Sequence, residues 1–244
     1  MFKHQGKTRT LSHNLKAASI LSFVAGLVNV VGFLSVQKLT TNVTGHFAYF
    51  VDDFFRFQFS KSIIYLLYIL FFLLGSFFSN FLIEIVDRTK EINIFIFPVL
   101  IEIFILFTIG LWGHLVIINH PDIIALALLF SMGLQNSLIT TLSNTMVRTT
   151  HLTGLFTDLG IELSQLFFYK TPDQKHKLHG SINLRLRIIL FFFLGGTFAG
   201  FIYFKIKLYS LIIGAIILFI GIIYDRIKLI LINTRRQNSV ALKS

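Results

Sequence analysis

The sequence predicts an all-α transmembrane fold: six helices arranged as two inverted three-helix repeats. Three observations carry this. The 244 residues are 55% hydrophobic and only 14% charged, with a mean hydropathy of +0.77, whereas soluble domains carry about 25% charged residues. Six segments approach or exceed the roughly 20 apolar residues that a helix needs to cross hydrocarbon. Three short sequence echoes also recur in the same order in both halves. Thr40-Thr41-Asn42-Val43-Thr44-Gly45 returns as Thr149-Thr150-His151-Leu152-Thr153-Gly154. Gly26-Leu27-Val28-Asn29 returns as Gly133-Leu134-Gln135-Asn136, and the stretch from Leu74 to Phe81 returns as Leu194 to Phe201. Ordered self-similarity of this kind marks a duplicated unit.

The expected spans run from Ala17 to Val36, Ser62 to Ile83, Asn93 to Gly113, Pro121 to Thr145, Leu184 to Phe204 and Leu208 to Leu231. The first has a basic flank like a signal peptide, but its apolar run is too long and no small-x-small site closes it, so it reads as an uncleaved helix. Pro121 suits a first helical turn, where a missing N–H costs nothing. The whole chain, 1–244, reads as one polytopic membrane domain. Repeat one covers about 17–118 and repeat two about 121–233, with polar tails at 1–16 and 234–244. The stretch Lys170 to Arg187 reads as a basic loop facing lipid headgroups.

Orientation follows from Lys and Arg. Seventeen lie in the two tails and the second-to-third and fourth-to-fifth connections; five (Lys38, Arg56, Lys61, Lys205, Lys207) lie on the other side. That bias predicts a multipass protein of the cytoplasmic (inner) membrane with both termini in the cytoplasm. Each repeat has three helices, an odd number, so the second copy enters the membrane upside down. Inverted repeats of this type underlie many secondary transporters.

Composition also excludes functions. There is no cysteine, hence no disulfide, thiolate metal site or Cys nucleophile. The net charge of +11 is spread between apolar spans, which fits anionic lipid headgroups as partners and argues against nucleic acid. No Walker loop, nucleophile elbow or dinucleotide fingerprint occurs, so neither an enzyme nor a cofactor is expected. His46, His114, His120 and His151 lack metal-ligand spacing and read as interfacial or loop residues. Asn42-Val43-Thr44 matches a glycosylation sequon beside a helix end, a poor signal.

Several residues could carry function. Glu102 sits mid-span, where an acid costs at least roughly 2.5–3.5 kcal/mol on insertion scales. It is a proton carrier, a counter-charge for a cationic substrate, or a structural acid. Asn29, Gln135 and Asn136 are amides near the midplane, two of them at matched positions; with Glu102 they are the candidates for a substrate path, or else interhelical glue worth about 0.6 kcal/mol each. Thr41, Thr44, Gly45, Thr150, Thr153, Gly154 and Asp158 belong to the Thr-Gly stretches and the segments just beyond them. Thr44 and Thr153 suit helix caps, so each stretch is expected to reverse the chain and start a short helix that gates or binds. Positive helix N-termini there could receive an anionic group. After Thr153, Asp158, Glu162, Gln165 and Tyr169 fall on one face and Leu155, Leu159, Leu163 and Leu166 on another. Asp52 and Arg56 are spaced for an i,i+4 pair. Gly75, Ser76, Ser79, Gly195, Gly196, Ala199 and Gly200 allow close helix approach.

The run from Ser131 to Ser137, followed by Val147 to Gly160 with its Arg-Thr-Thr-x-x-Thr-Gly-x-x-Thr-Asp pattern, resembles the signature of the YoaK-like family of bacterial multipass inner-membrane proteins. Phe23 to Gly26, Gly32-Phe33 and Asn42 to His46 also resemble it, with Val43 and His46 departing from the usual Met and Asn; Glu102 resembles a Glu in the family's third span. The resemblance implies a six-helix membrane protein and assigns no substrate. The expected function is secondary transport of a small molecule by alternating access. The alternatives are a channel, or a non-transporting membrane scaffold in which the small-residue faces are oligomer seams; a homo-oligomer fits either use.

Overall fold

A computed structural model describes residues 11–87, 96–142 and 149–224, and these are helical with no strand among them. The expected connection bearing Arg88 and Lys90, the stretch around Arg148, the end of the sixth span, and most of both tails lie outside the described residues. The helices are α1 (Leu11–Val36), α2 (Val43–Phe55), α3 (Phe59–Asp87), α4 (Ile96–Val116), α5 (Pro121–Leu142), α6 (Leu152–Gln165) and α7 (Pro172–Ile206). A 3-10 turn, Lys207–Tyr209, separates α7 from a further helical stretch, α8 (210–224). Among the described residues, five stretches are long and apolar enough to cross a membrane: Leu15–Val36, Phe59–Ile85, Ile96–Val116, Pro121–Thr141 and Pro172–Tyr224. These fit a multipass membrane protein.

The last stretch is 53 residues long, or about 80 Å if straight, far beyond a hydrocarbon core of about 30 Å. It does not run straight. Gly196 lies against Gly26 and Val30 of α1, and Gly214 lies against Leu27 and Val24. Eighteen residues of continuous helix would hold those two glycines about 27 Å apart, yet they meet the same level of α1. The chain therefore folds back at the turn, where Lys207 adopts a left-handed φ of 48°. Gln37 (φ 55°) and Phe57 (φ 61°) mark the ends of α1 and α2 in the same way, as residues just past a helix end often do.

Helix α1 is the centre. Ala17, Ala18, Leu21, Val24, Leu27, Val28 and Val31 are fully buried. By contrast α3 and α7 turn Leu73, Phe77, Phe193, Phe201 and Phe204 outward. An aqueous surface would not present that much contiguous apolar area; hydrocarbon accepts it.

Two close helix crossings fix the core, and the echoing glycines sit at both. Where α1 meets α7, Gly26 abuts the Phe192 carbonyl and Gly195 abuts that of Phe23. Where α3 meets α5, Gly133 abuts the Phe72 carbonyl and Gly75 that of Phe130. A Cβ on Gly26 would stand 2.8 Å from the Phe192 carbonyl carbon; on Gly75, 2.8 Å from that of Phe130. Only glycine lets the backbones approach this closely. Gly200, also expected at a close approach, has open space beside it.

The expected basic loop before the fifth span is instead helix. Thr171 caps α7, its hydroxyl accepting from the Gln174 N–H at 3.4 Å, and Pro172 and Asp173 occupy the first turn. This is a strong start signal, and Leu178 and Ile182 then bury against Leu159 of α6. Glu162 also turns inward with Leu155 and Leu159, while Leu163 is exposed. The acidic and leucine faces expected for α6 are thus mixed.

Candidate functional site

Each Thr-Gly stretch folds back onto the helix before it. In the first, Thr41 donates to the side-chain oxygen of Asn29 at 2.7 Å, and Thr40 donates to the Val28 carbonyl at 3.2 Å. Gly32 makes room, because a Cβ there would collide with the Thr40 side chain. In the second, the Asn136 amide donates to Thr150 at 2.5 Å, and Thr149 donates to the other side of the same amide at 3.2 Å. Gln135, at the echo position of Val28, donates to Thr149 at 2.9 Å and to the Leu21 carbonyl of α1 at 3.0 Å. Thus Asn29 pairs with Thr41, and Asn136 with Thr150. We call these pairs latches. Thr40, Thr41, Gln135 and Thr149 are buried and Asn29, Asn136 and Thr150 half-buried; leaving a buried partner unmet is costly.

The short helices begin where the sequence suggests, α2 at Val43 and α6 at Leu152. The caps differ from expectation. Asn42, not Thr44, caps α2, its side chain accepting from the Gly45 N–H at 3.1 Å. His151 occupies the corresponding place in α6 without a side-chain capping bond. Thr44 and Thr153 are exposed and stand apart from the latches. Gly154 approaches the His151 ring closely, and Gly45 the Leu39 side chain. The Asp52–Arg56 pair forms at 2.9 Å on the exposed face of α2.

Behind each latch a short helix docks on a long one. His46, expected at an interface or in a loop, is buried: its Nε2 meets the Leu39 carbonyl at 2.6 Å and its ring lies 4.8 Å from that of Tyr68. Tyr49 stacks on Tyr65 at 5.2 Å, and Lys38 reaches the Tyr65 hydroxyl at 3.3 Å. Tyr68 in turn donates to Asp122 at the start of α5. Burial lowers the His46 pKa below its ordinary value; the Leu39 carbonyl opposes the shift and the Lys38 charge adds to it. In the second half, Arg185 of α7 meets Glu162 at 2.9 Å and Asp158 at 3.3 Å, and Ser181 donates to Glu162 at 2.5 Å. Asp158 is therefore part of a helix-docking ion pair. Glu162 and Arg185 carry no sequence signal beyond their charge, because a separation of 23 positions hides the contact.

Glu102 stands apart from the latches. It is fully buried on the inward face of α4 with Val99 and Leu106, and neither carboxyl oxygen has a hydrogen-bond partner among the described residues. Gln135 Oε1 and Ser131 Oγ are likewise buried without partners. Among the described residues no group of three or more His, Asp or Glu side chains is placed to hold a metal ion.

No curated protein and no solved structure matches the chain. The profile of one protein family, described as proteins of unknown function (DUF1275), matches residues 17–224. That match takes in all five apolar stretches, except the first two residues of the first, and both latches, and the chain belongs to the DUF1275 family.

Proposed function

We propose that this protein is a secondary transporter of a small molecule, working by alternating access between two inverted three-helix repeats. In this reading six helices cross the cytoplasmic membrane, α1, α3, α4, α5, α7 and α8, and both termini are cytoplasmic, as the 17-to-5 partition of basic residues suggests. The likeness to YoaK-like proteins belongs to the same reading. The observation that carries it is the pair of latches: the amides at matched positions, Asn29 and Asn136, hold the threonines at matched positions, Thr41 and Thr150. The glycine crossings support it too. The contact Gly26·Phe192 becomes Gly133·Phe72 when the halves are exchanged, and Gly75·Phe130 becomes Gly195·Phe23.

Two copies related in this way can trade conformations, so that one latch opens to one side while the other stays shut. Asn29, Gln135, Asn136 and Glu102 would then line the route, with the Thr-Gly stretches as its gates. No enzymatic step is assigned.

The test is untargeted metabolite comparison of energised membrane vesicles containing the wild type, Thr41→Val with Thr150→Val, or no protein. The reading expects at least one compound that the wild type concentrates and the double variant does not. Identical contents in all three would overturn it.

A further inference from the structure

Glu102 is fully buried in a stretch of the bundle that carries no charge among the described residues. Helix α4 joins α5 through the short connection 117–120, and Gly113 stands beside Ile124. Counting 11 residues down each antiparallel helix puts Glu102 level with Gln135, about 16 Å from that contact. On α8, Gly110 meets Ile212 and Leu106 meets Gly214, so Glu102 falls level with Leu218.

The charged and titratable groups on the neighbouring elements lie towards the two ends. Asp122, Tyr68, His114, Lys207 and Tyr209 cluster at the Gly113 end, with Lys61 and Tyr65 further out. Lys16 meets Tyr224 at the opposite end. Glu84 lies at that end too, past the Asn80–Thr141 bond between α3 and α5. Among the described residues, those level with Glu102 are apolar or uncharged, such as Gln135 and Leu218. A carboxylate anion without donor or counter-charge is far too costly there, whereas a carboxylic acid is tolerable. A dehydrated metal cation is also disfavoured, since it needs several converging oxygens and no group of three or more His, Asp or Glu side chains among the described residues is placed to hold one.

We propose that Glu102 is the proton-binding site of the transport cycle, neutral while both latches are shut and releasing its proton when the halves part and water reaches it. This deepens the transporter reading and rests on it; the coupling ion is then the proton. When the halves part, the released proton goes to water on the open side.

The test needs no substrate. Infrared spectra of the full chain in lipid nanodiscs would be compared with those of Glu102→Gln and Glu102→Asp. The expected result is a protonated-carboxyl band at neutral pH that is lost in Glu102→Gln and kept, slightly shifted, in Glu102→Asp. The band should move on transfer to D2O and bleach reversibly at alkaline pH while the protein stays folded. A carboxylate band at neutral pH that is lost in Glu102→Gln overturns the proposal. So does a carboxyl band that neither exchanges nor titrates, which would make Glu102 a structural acid. If the band behaves as expected but no metabolite accumulates in vesicles, the transporter reading fails and the proton site stands.

Discussion

The same junction is built twice in this molecule from opposite chemistry. Counting from the Thr-Gly stretches, Tyr49 corresponds to Asp158; counting from Gly75 and Gly195, Tyr65 corresponds to Arg185. In the first half these positions make a stack of rings 5.2 Å apart, and in the second an ion pair at 3.3 Å. His46, buried against Tyr68, has Leu155 as its counterpart. What is held constant is the docking of a short helix on a long one behind a Thr–Asn latch. What varies is how that docking responds to its surroundings. Ring packing is indifferent to salt and depends on volume. An ion pair is weakened by salt, less so as it is buried, and Arg185 and Glu162 are mostly covered while Asp158 is half exposed. On the proposed orientation the ionic junction faces the cytoplasm and the aromatic one the outside.

The comparison breaks most severely at the crossings, where the halves should behave alike. Gly26→Leu and Gly133→Leu each force a side chain into a neighbouring helix backbone, and each should cost about 3 kcal/mol or more. Thermal unfolding in one detergent should give shifts of similar size. A large loss at one position and none at the other would mean that the crossings are not equivalent.

The junctions should separate the halves. Arg185→Met leaves Glu162 covered and without its counter-charge and should cost about 3 kcal/mol, whereas Tyr49→Leu, losing the stack on Tyr65, should cost about 1 kcal/mol. Raising the salt concentration should shrink the coupling energy between Asp158 and Arg185 in a double-mutant cycle and leave that between Tyr49 and Tyr65 unchanged. Equal salt dependence would remove the distinction.

The smallest effect is a pH dependence confined to the first half. Burial holds the folded pKa of His46 below its ordinary value of 6.5, so the folded state favours the neutral ring. The resulting stability is fully present above the unfolded value and is lost as pH falls through the lower folded one. Between pH 7 and 5 the wild type should lose more thermal stability than His46→Gln; a parallel decline would show that His46 does not contribute.

Much of this architecture is legible in the residues. Hydropathy locates the apolar stretches, and Thr40 to Gly45 and Thr149 to Gly154 mark the starts of α2 and α6. The amides stand out as a matched pair, but their partners do not, since nothing in a sequence says that Asn29 reaches Thr41 twelve residues on. Local charge misleads twice. The Lys-rich run after Tyr169 looks like loop, although Thr171, Pro172 and Asp173 spell a helix start; and helical spacing puts Glu162 on a polar face, although Arg185 draws it inward. His46 shows no sign of burial in the sequence because its cover comes from Tyr65 and Tyr68, on another helix.

Reciprocity between the latches is the central claim. The chain contains no cysteine, so thiols can be introduced one pair at a time. Tyr49→Cys and Tyr65→Cys, joined by a short bifunctional thiol reagent, should clamp the first junction. A third cysteine at Thr150, protected during that reaction and then unmasked, would report on the second latch through a membrane-impermeant label. Alternating access predicts that the clamp raises labelling of Thr150→Cys from the cytoplasmic side several-fold over the unclamped protein. Labelling unchanged by the clamp would contradict it.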